Sequence, residues 1–178
     1  PFDEFGTWQL AGDLLPNATR EQQLATAYLR VGKRTTGNGA IDAEYKAEYM
    51  VERTDNALGV ALLGLTVGCA RCHDHKYDPI TQDDYFRLRA MFEPIGLRQD
   101  RVAGEADPGP FQEYSYGVLR KIQRLGIVQV FDKNPTAPTW YYTGGDERNR
   151  VPERGPMAPG LPAFLGGGGA KVEPVQLP

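Results

Sequence analysis

The stretch Gly64-Leu-Thr-Val-Gly-Cys-Ala-Arg-Cys-His-Asp-His-Lys-Tyr-Asp-Pro-Ile-Thr-Gln-Asp-Asp-Tyr-Phe86 decides how the chain is read. It holds both cysteines and both histidines of the 178-residue sequence. Cys69 and Cys72 stand three apart, and His73 follows at once. In a shuffled chain of this composition the coincidence arises on the order of once in ten thousand. Covalent haem attachment asks for this spacing on geometric grounds. Two thiols must reach the two vinyl positions at one edge of a porphyrin, and the next side chain must turn beneath the ring to place an imidazole nitrogen on the iron. Cys69, Cys72 and His73 are therefore the candidate site for one haem c, with His73 an axial iron ligand. A Cys69–Cys72 disulfide of thioredoxin type would want a βαβ pattern, whereas the flanks read as helix and loop. A zinc site built from Cys69, Cys72, His73 and His75 would take all its ligands from seven residues, where structural zinc sites combine two separated pairs.

Upstream of the motif, apolar residues recur at helical spacing from Ile41 to about Leu65 (Ile41, Tyr45, Tyr49, Ala57, Leu58, Ala61, Leu65), which predicts one long helix. Thr19-Arg20-Glu21-Gln22 fits a capping box for an earlier helix carrying Leu24, Tyr28 and Val31 on one face. The glycine-rich, basic run 32–39 should be a loop. Downstream, Asp78-Pro79 marks a turn, and Thr81 can cap a helix through about Phe92 that shows Tyr85, Leu88 and Phe92 on one side. After Arg98 the composition shifts. A helix is expected over 111–125 and short strands at Ile127–Phe131 and Trp140–Thr143, with an irregular Gly/Pro-rich tail from Gly144. The fold class expected is mainly α: a single-haem, cytochrome-like helical domain over 1–100, then an irregular Pro/Gly-rich C-terminal extension over 101–178 with at most a few short strands.

Composition limits the partners. The chain is 40% hydrophobic and 24% charged with a net charge of −3, which suits a core-forming protein and offers no basic stripe for nucleic acid. The longest uncharged run, Ala57 to Ala70, has 14 residues against the roughly 20 that a membrane span needs. The sequence starts at Pro1 without an initiator Met or the basic and apolar regions of a signal peptide, so it reads as a processed piece of something larger.

The second axial position of the iron decides the chemistry. His75 lies two residues from His73, so their Cα atoms are at most about 7 Å apart, whereas ligands on opposite faces of one iron need well over about 10 Å. His75 is thus assigned a local role, and Met91 is the favoured sixth ligand, with Met157, Met50 or none as alternatives. Arg53, which interrupts the apolar stripe of the long helix, and Arg71, inside the motif, are candidate partners for the haem propionates. Tyr45, Tyr49, Tyr77 and Tyr85 read as haem-pocket or core packing rather than redox relays. Asp74, Asp78, Asp83 and Asp84 fit no calcium loop and read as a helix cap and a solvated face.

The segment from Gly64 to Phe86 resembles the planctomycete-type cytochrome c domain of uncharacterised function found in large secreted proteins. Phe2-Asp3-Glu4-Phe5 and Gln9-Leu-Ala-Gly-Asp-Leu-Leu-Pro16 are similar to the same family upstream, and Gly145-Asp146 with Pro159-Gly160-Leu161-Pro162 downstream. The resemblance implies an exported bacterial protein, periplasmic or extracellular, holding haem at Cys69, Cys72 and His73. It also implies truncation at both ends, since the family's domain usually starts earlier and is followed by a second one. No reaction comes with it. Electron transfer to an unidentified redox protein, within a larger polypeptide or assembly, is the leading expectation. The alternatives are a haem enzyme whose open iron site handles peroxide or oxidises a small substrate, and an interaction subunit that keeps haem as a structural staple.

Overall fold

Thr19 and Thr81 start two helices in the same way. In the computed structural model, which describes residues 1–30, 42–101, 126–132 and 138–167, the Thr19 hydroxyl accepts the Gln22 amide and the Gln22 side chain accepts the Thr19 amide. The expected capping box is present, at the head of α2 (Arg20–Ala25). Thr81 and Asp84 repeat the exchange at the head of α4 (Gln82–Ala90), where the Asp84 carboxylate accepts both the Thr81 amide and its hydroxyl. Each box satisfies backbone donors that the first helical turn leaves without partners.

The chain divides into two units, each assembled from separated segments: Pro1–Lys46, Ile95–Lys133 and Val175–Pro178 in one, Ala47–Pro94 and Asn134–Pro174 in the other. In the first, α1 (Phe2–Ala11) and α2 pack together, and a 3₁₀ turn over Thr26–Arg30 carries the buried Thr26 and Leu29. Against that turn lies an antiparallel hairpin of β1 (Ile95–Arg101) and β2 (Gly126–Asp132), registered from Ile95 opposite Asp132 to Arg101 opposite Gly126. The strand expected at Ile127–Phe131 lies inside β2. β1 is an element the sequence pattern did not signal.

The second unit holds the motif. Helix α3 (Asp42–Glu52) begins where the long helix was expected, but it does not stay α-helical. From Arg53 to Leu63 the chain widens into a π-helix, ended by Gly64 in the left-handed region (φ 67°, ψ 21°) that glycine enters without steric cost. A 3₁₀ turn over Val67–Arg71 follows, then the loop to α4. Phe86 sits at the centre with no exposure, its ring edge-on to Tyr85 at 5.2 Å and to Tyr142 at 5.6 Å. Beyond residue 138 the expected strand at Trp140–Thr143 is displaced: the pairing is β3 (Thr139–Trp140) with β4 (Pro156–Met157), while Tyr142 forms only an isolated bridge to Arg150. The rest, through Gly167, is 3₁₀ turns and irregular chain packed on α4, as the composition implied. The protein is mainly helical with an irregular C-terminal part. The expected helix over 111–125, the loop over 32–39, Val31 and the tail beyond 167 lie outside the described residues. Among the described residues, no helix is long and apolar enough to cross a membrane.

Candidate functional site

Apolar anchoring decides which motif side chains turn outward. Val67 and Ala70 have no solvent exposure, so the 3₁₀ turn is pinned by them. The side chains between and after these anchors, Cys69, Cys72 and His73, are exposed, and both thiols are free. The Cys69 amide donates to the Thr66 carbonyl at 3.1 Å, closing the turn. Gly68 fits because it has no side chain: a Cβ there would stand 2.7 Å from an Asp55 carboxyl oxygen.

The two histidines are bound differently. His73 Nδ1 lies 2.7 Å from the Asp74 carbonyl, which can only accept, so Nδ1 carries the proton and Nε2 presents a lone pair. His75 Nδ1 accepts the amides of Tyr77 (3.2 Å) and Asp78 (2.8 Å), so its proton is on Nε2 and is donated to the Thr66 hydroxyl at 2.9 Å. That ring is nearly buried and fully engaged, stitching residue 66 to residues 77 and 78. The local role expected for His75 is the one it has. The aspartates are similarly engaged. Asp74 accepts the Gln82 amide, Asp83 meets Arg154, Asp84 caps α4 and also accepts the Ala163 amide, and Asp78 lies 3.4 Å from His75. Among the described residues, no group of three or more His, Cys, Asp or Glu side chains is arranged to hold a metal ion. A haem iron makes no such demand, because the macrocycle supplies four of its ligands.

Gln82 fixes the motif to the rest of the unit, and nothing in the sequence singled it out. Its side-chain NH₂ donates to the carbonyls of Arg71 (2.8 Å) and Tyr142 (3.3 Å), and its oxygen accepts the Tyr141 hydroxyl. Behind the motif, Asp55, Arg71, Tyr85 and Arg89 form a mostly buried polar group. Burial raises the Asp55 carboxyl above its ordinary value, against the opposing influence of the nearby Tyr85 and the charge of Arg71. Burial and the same carboxyl push the Tyr85 phenol well up. A carboxyl raised by folding stabilises the protein below its unfolded pKa of 3.8, and that contribution is lost as pH rises through the raised folded value. Asp55→Asn keeps the shape of the side chain but cannot ionise. The variant is expected to unfold at a temperature equal to or above the parent's at neutral pH, with a flatter stability curve above pH 3.8, checked by thermal melts across that range.

The remaining candidates are placed as follows. Arg53 is 1% exposed, and Arg71 is half-buried. Met50 has no exposure and is a packing residue. Met91 caps the end of α4 away from the motif and is half-buried, and Met157 is half-buried opposite Thr139. Tyr49 and Tyr85 are buried, Tyr77 is 82% exposed, and the Tyr45 side chain lies outside those described.

An exposed Cys-x-x-Cys-His turn seated on a mostly buried polar group defines a domain with a thiol- and imidazole-bearing loop. Residues 1–96, which include that loop, match the family described as "Protein of unknown function (DUF1549)", PSCyt2, and the chain belongs to it. No curated protein and no solved structure matches the chain.

Proposed function

We propose that this chain is a c-type cytochrome domain of the planctomycete type, carrying one haem through thioethers to Cys69 and Cys72 with His73 as an axial ligand. The observation that carries the reading is a single turn on which both free thiols and an imidazole with an open Nε2 are exposed together. The residues fit the group. Asp74 fixes the His73 tautomer that leaves Nε2 available to a metal, while Thr66 and residues 77–78 keep His75 from competing. Bound haem would supply a one-electron couple, and a methionine as a further iron ligand would raise its potential. Electron transfer in an exported bacterial protein, within a larger polypeptide or assembly, is the function that follows.

The test is expression alongside a c-type cytochrome maturation system, followed by intact mass and optical spectroscopy. One haem per chain, low-spin when reduced and indifferent to carbon monoxide, is the expected result. Ready carbon monoxide binding would move the assignment to a haem enzyme, and a bare polypeptide mass would end the haem reading.

A further inference from the structure

The acids that follow the Cys69–His73 turn already have partners. Asp74 accepts the Gln82 amide, Asp78 lies beside His75, Asp83 meets Arg154, and Asp84 caps α4. Asp55 is different. Among the described residues its Oδ1 is buried without a hydrogen-bond partner, and its Oδ2 faces Gly68 so closely that a Cβ there would stand 2.7 Å away. Gly68 is bonded to Cys69, so this carboxyl lies against the backbone one residue from the first thiol. Tyr85 and Arg71, which both act on it, also keep a buried hydroxyl and a buried Nε without hydrogen-bond partners among the described residues.

Opposing influences act on the Asp55 proton. Burial favours the neutral acid, and Glu52 at the end of α3 adds to that, while Tyr85 and Arg89 of α4 and Arg71 of the turn favour ionisation. Burial prevails, and the carboxyl stands above its ordinary value. The residue is half-buried rather than sealed, so its proton can exchange with water. Negative charge added beside such a group makes ionisation harder. We infer that Asp55 is a proton-binding site coupled to the haem electron. This rests on the haem reading above. Reduction by a one-electron donor takes up one proton from solvent, forming an O–H bond on the Asp55 carboxylate. Oxidation breaks that bond and returns the proton. The linkage is reciprocal, so protonating Asp55 makes the electron easier to add. The midpoint potential therefore falls as pH rises through the window in which reduced protein holds the proton and oxidised protein does not, and it levels off on either side.

The test uses the mature holoprotein, with wild type and Asp55→Asn compared by intact mass and by midpoint potential against pH. Reduced-minus-oxidised infrared difference spectra of wild type grown with isotopically labelled aspartate add a direct reading of the carboxyl. The wild-type mass comes first, because bare polypeptide there overturns the haem reading and this site with it. Haem-loaded wild type is expected to lose potential with rising pH above 3.8, with a slope of at most about 59 mV per pH unit, the limit for one proton per electron. On reduction it should gain a carboxylic-acid C=O band that moves with the aspartate label. Asp55→Asn should keep its haem mass, lose the band and show a flattened slope. A pH-independent potential in haem-loaded wild type, or an unchanged slope in Asp55→Asn, would overturn the proton site and leave the haem reading intact. If Asp55→Asn does not fold, the labelled wild type decides: a label-sensitive band gained on reduction supports the site, and its absence overturns it.

Discussion

Matured in a host that attaches haem to c-type cytochromes, the double variant Cys69→Ala/Cys72→Ala is expected to carry no covalent haem at all, while the wild type carries one. The expectation is sharp because the substituted side chains do little for the fold. Both thiols are exposed and unpaired, and the turn that bears them is held by Val67 and Ala70, by Gln82 on the Arg71 carbonyl, and by the Asp55–Gly68 contact. Folding should survive and only the thioethers should go. His73→Ala separates attachment from ligation. It should retain the haem mass and lose the low-spin spectrum, since a thioether forms at the vinyl carbon without the imidazole. Haem mass persisting in the double variant, or an unaltered spectrum in His73→Ala, would remove the attachment turn from the account.

The largest stability effect should come from Arg89→Ala. Arg89 lies on the buried side of α4 with its guanidinium among Glu147, Glu93 and the Tyr142 ring. Burial opposes its charge, but the hydrogen bond and charge of Glu147 outweigh that and hold its pKa above the usual arginine value. Removing one member of a buried ion pair typically costs about 3–5 kcal/mol, mostly from the charge left behind. Glu147 is 30% exposed, and water reaching it should keep the loss near about 3 kcal/mol. Urea denaturation of the full chain measures this. Arg89→Ala/Glu147→Gln should recover a substantial part of the loss, because it neutralises the orphaned acid. A double variant no more stable than the single one would mean that the packing of the arginine stem, not the charge, was responsible.

What could be read in the chain was local. Thr81 and Asp84 are three residues apart, so the capping box that begins α4 is written in one turn, and the Cys69-to-His73 spacing is likewise complete within five residues. Long-range partners were not legible. β1 pairs with β2, whose first residue lies 25 positions after the end of β1, and no periodicity announces such a pairing. Arg89 falls on the same helical side as Tyr85 and Leu88, where a charge can equally flank an apolar stripe or sit inside it. Glu147, 58 residues away, decides between the two. The change from α to π at Arg53 escaped for a different reason. Apolar residues at 57, 58, 61 and 65 satisfy an α-helical face equally well, and the wider helix brings Gly59 so close to Val67 that a Cβ would stand 2.3 Å from a methyl, a long-range contact no local pattern announces.

The family match stops at residue 96, but the scaffold beneath the Cys69–His73 turn does not. Gln82 takes Tyr141 and Tyr142, Arg89 takes Glu147, Asp83 takes Arg154, and Asp84 takes the amide of Ala163. A fragment cut at the match boundary would lose all five partners from one nine-residue helix and expose an arginine's buried acid-binding side. The span over which sequences can be aligned and the span that must be synthesised to obtain a cooperative folding unit are different lengths here. Anyone excising this domain for study should carry the chain through residue 167.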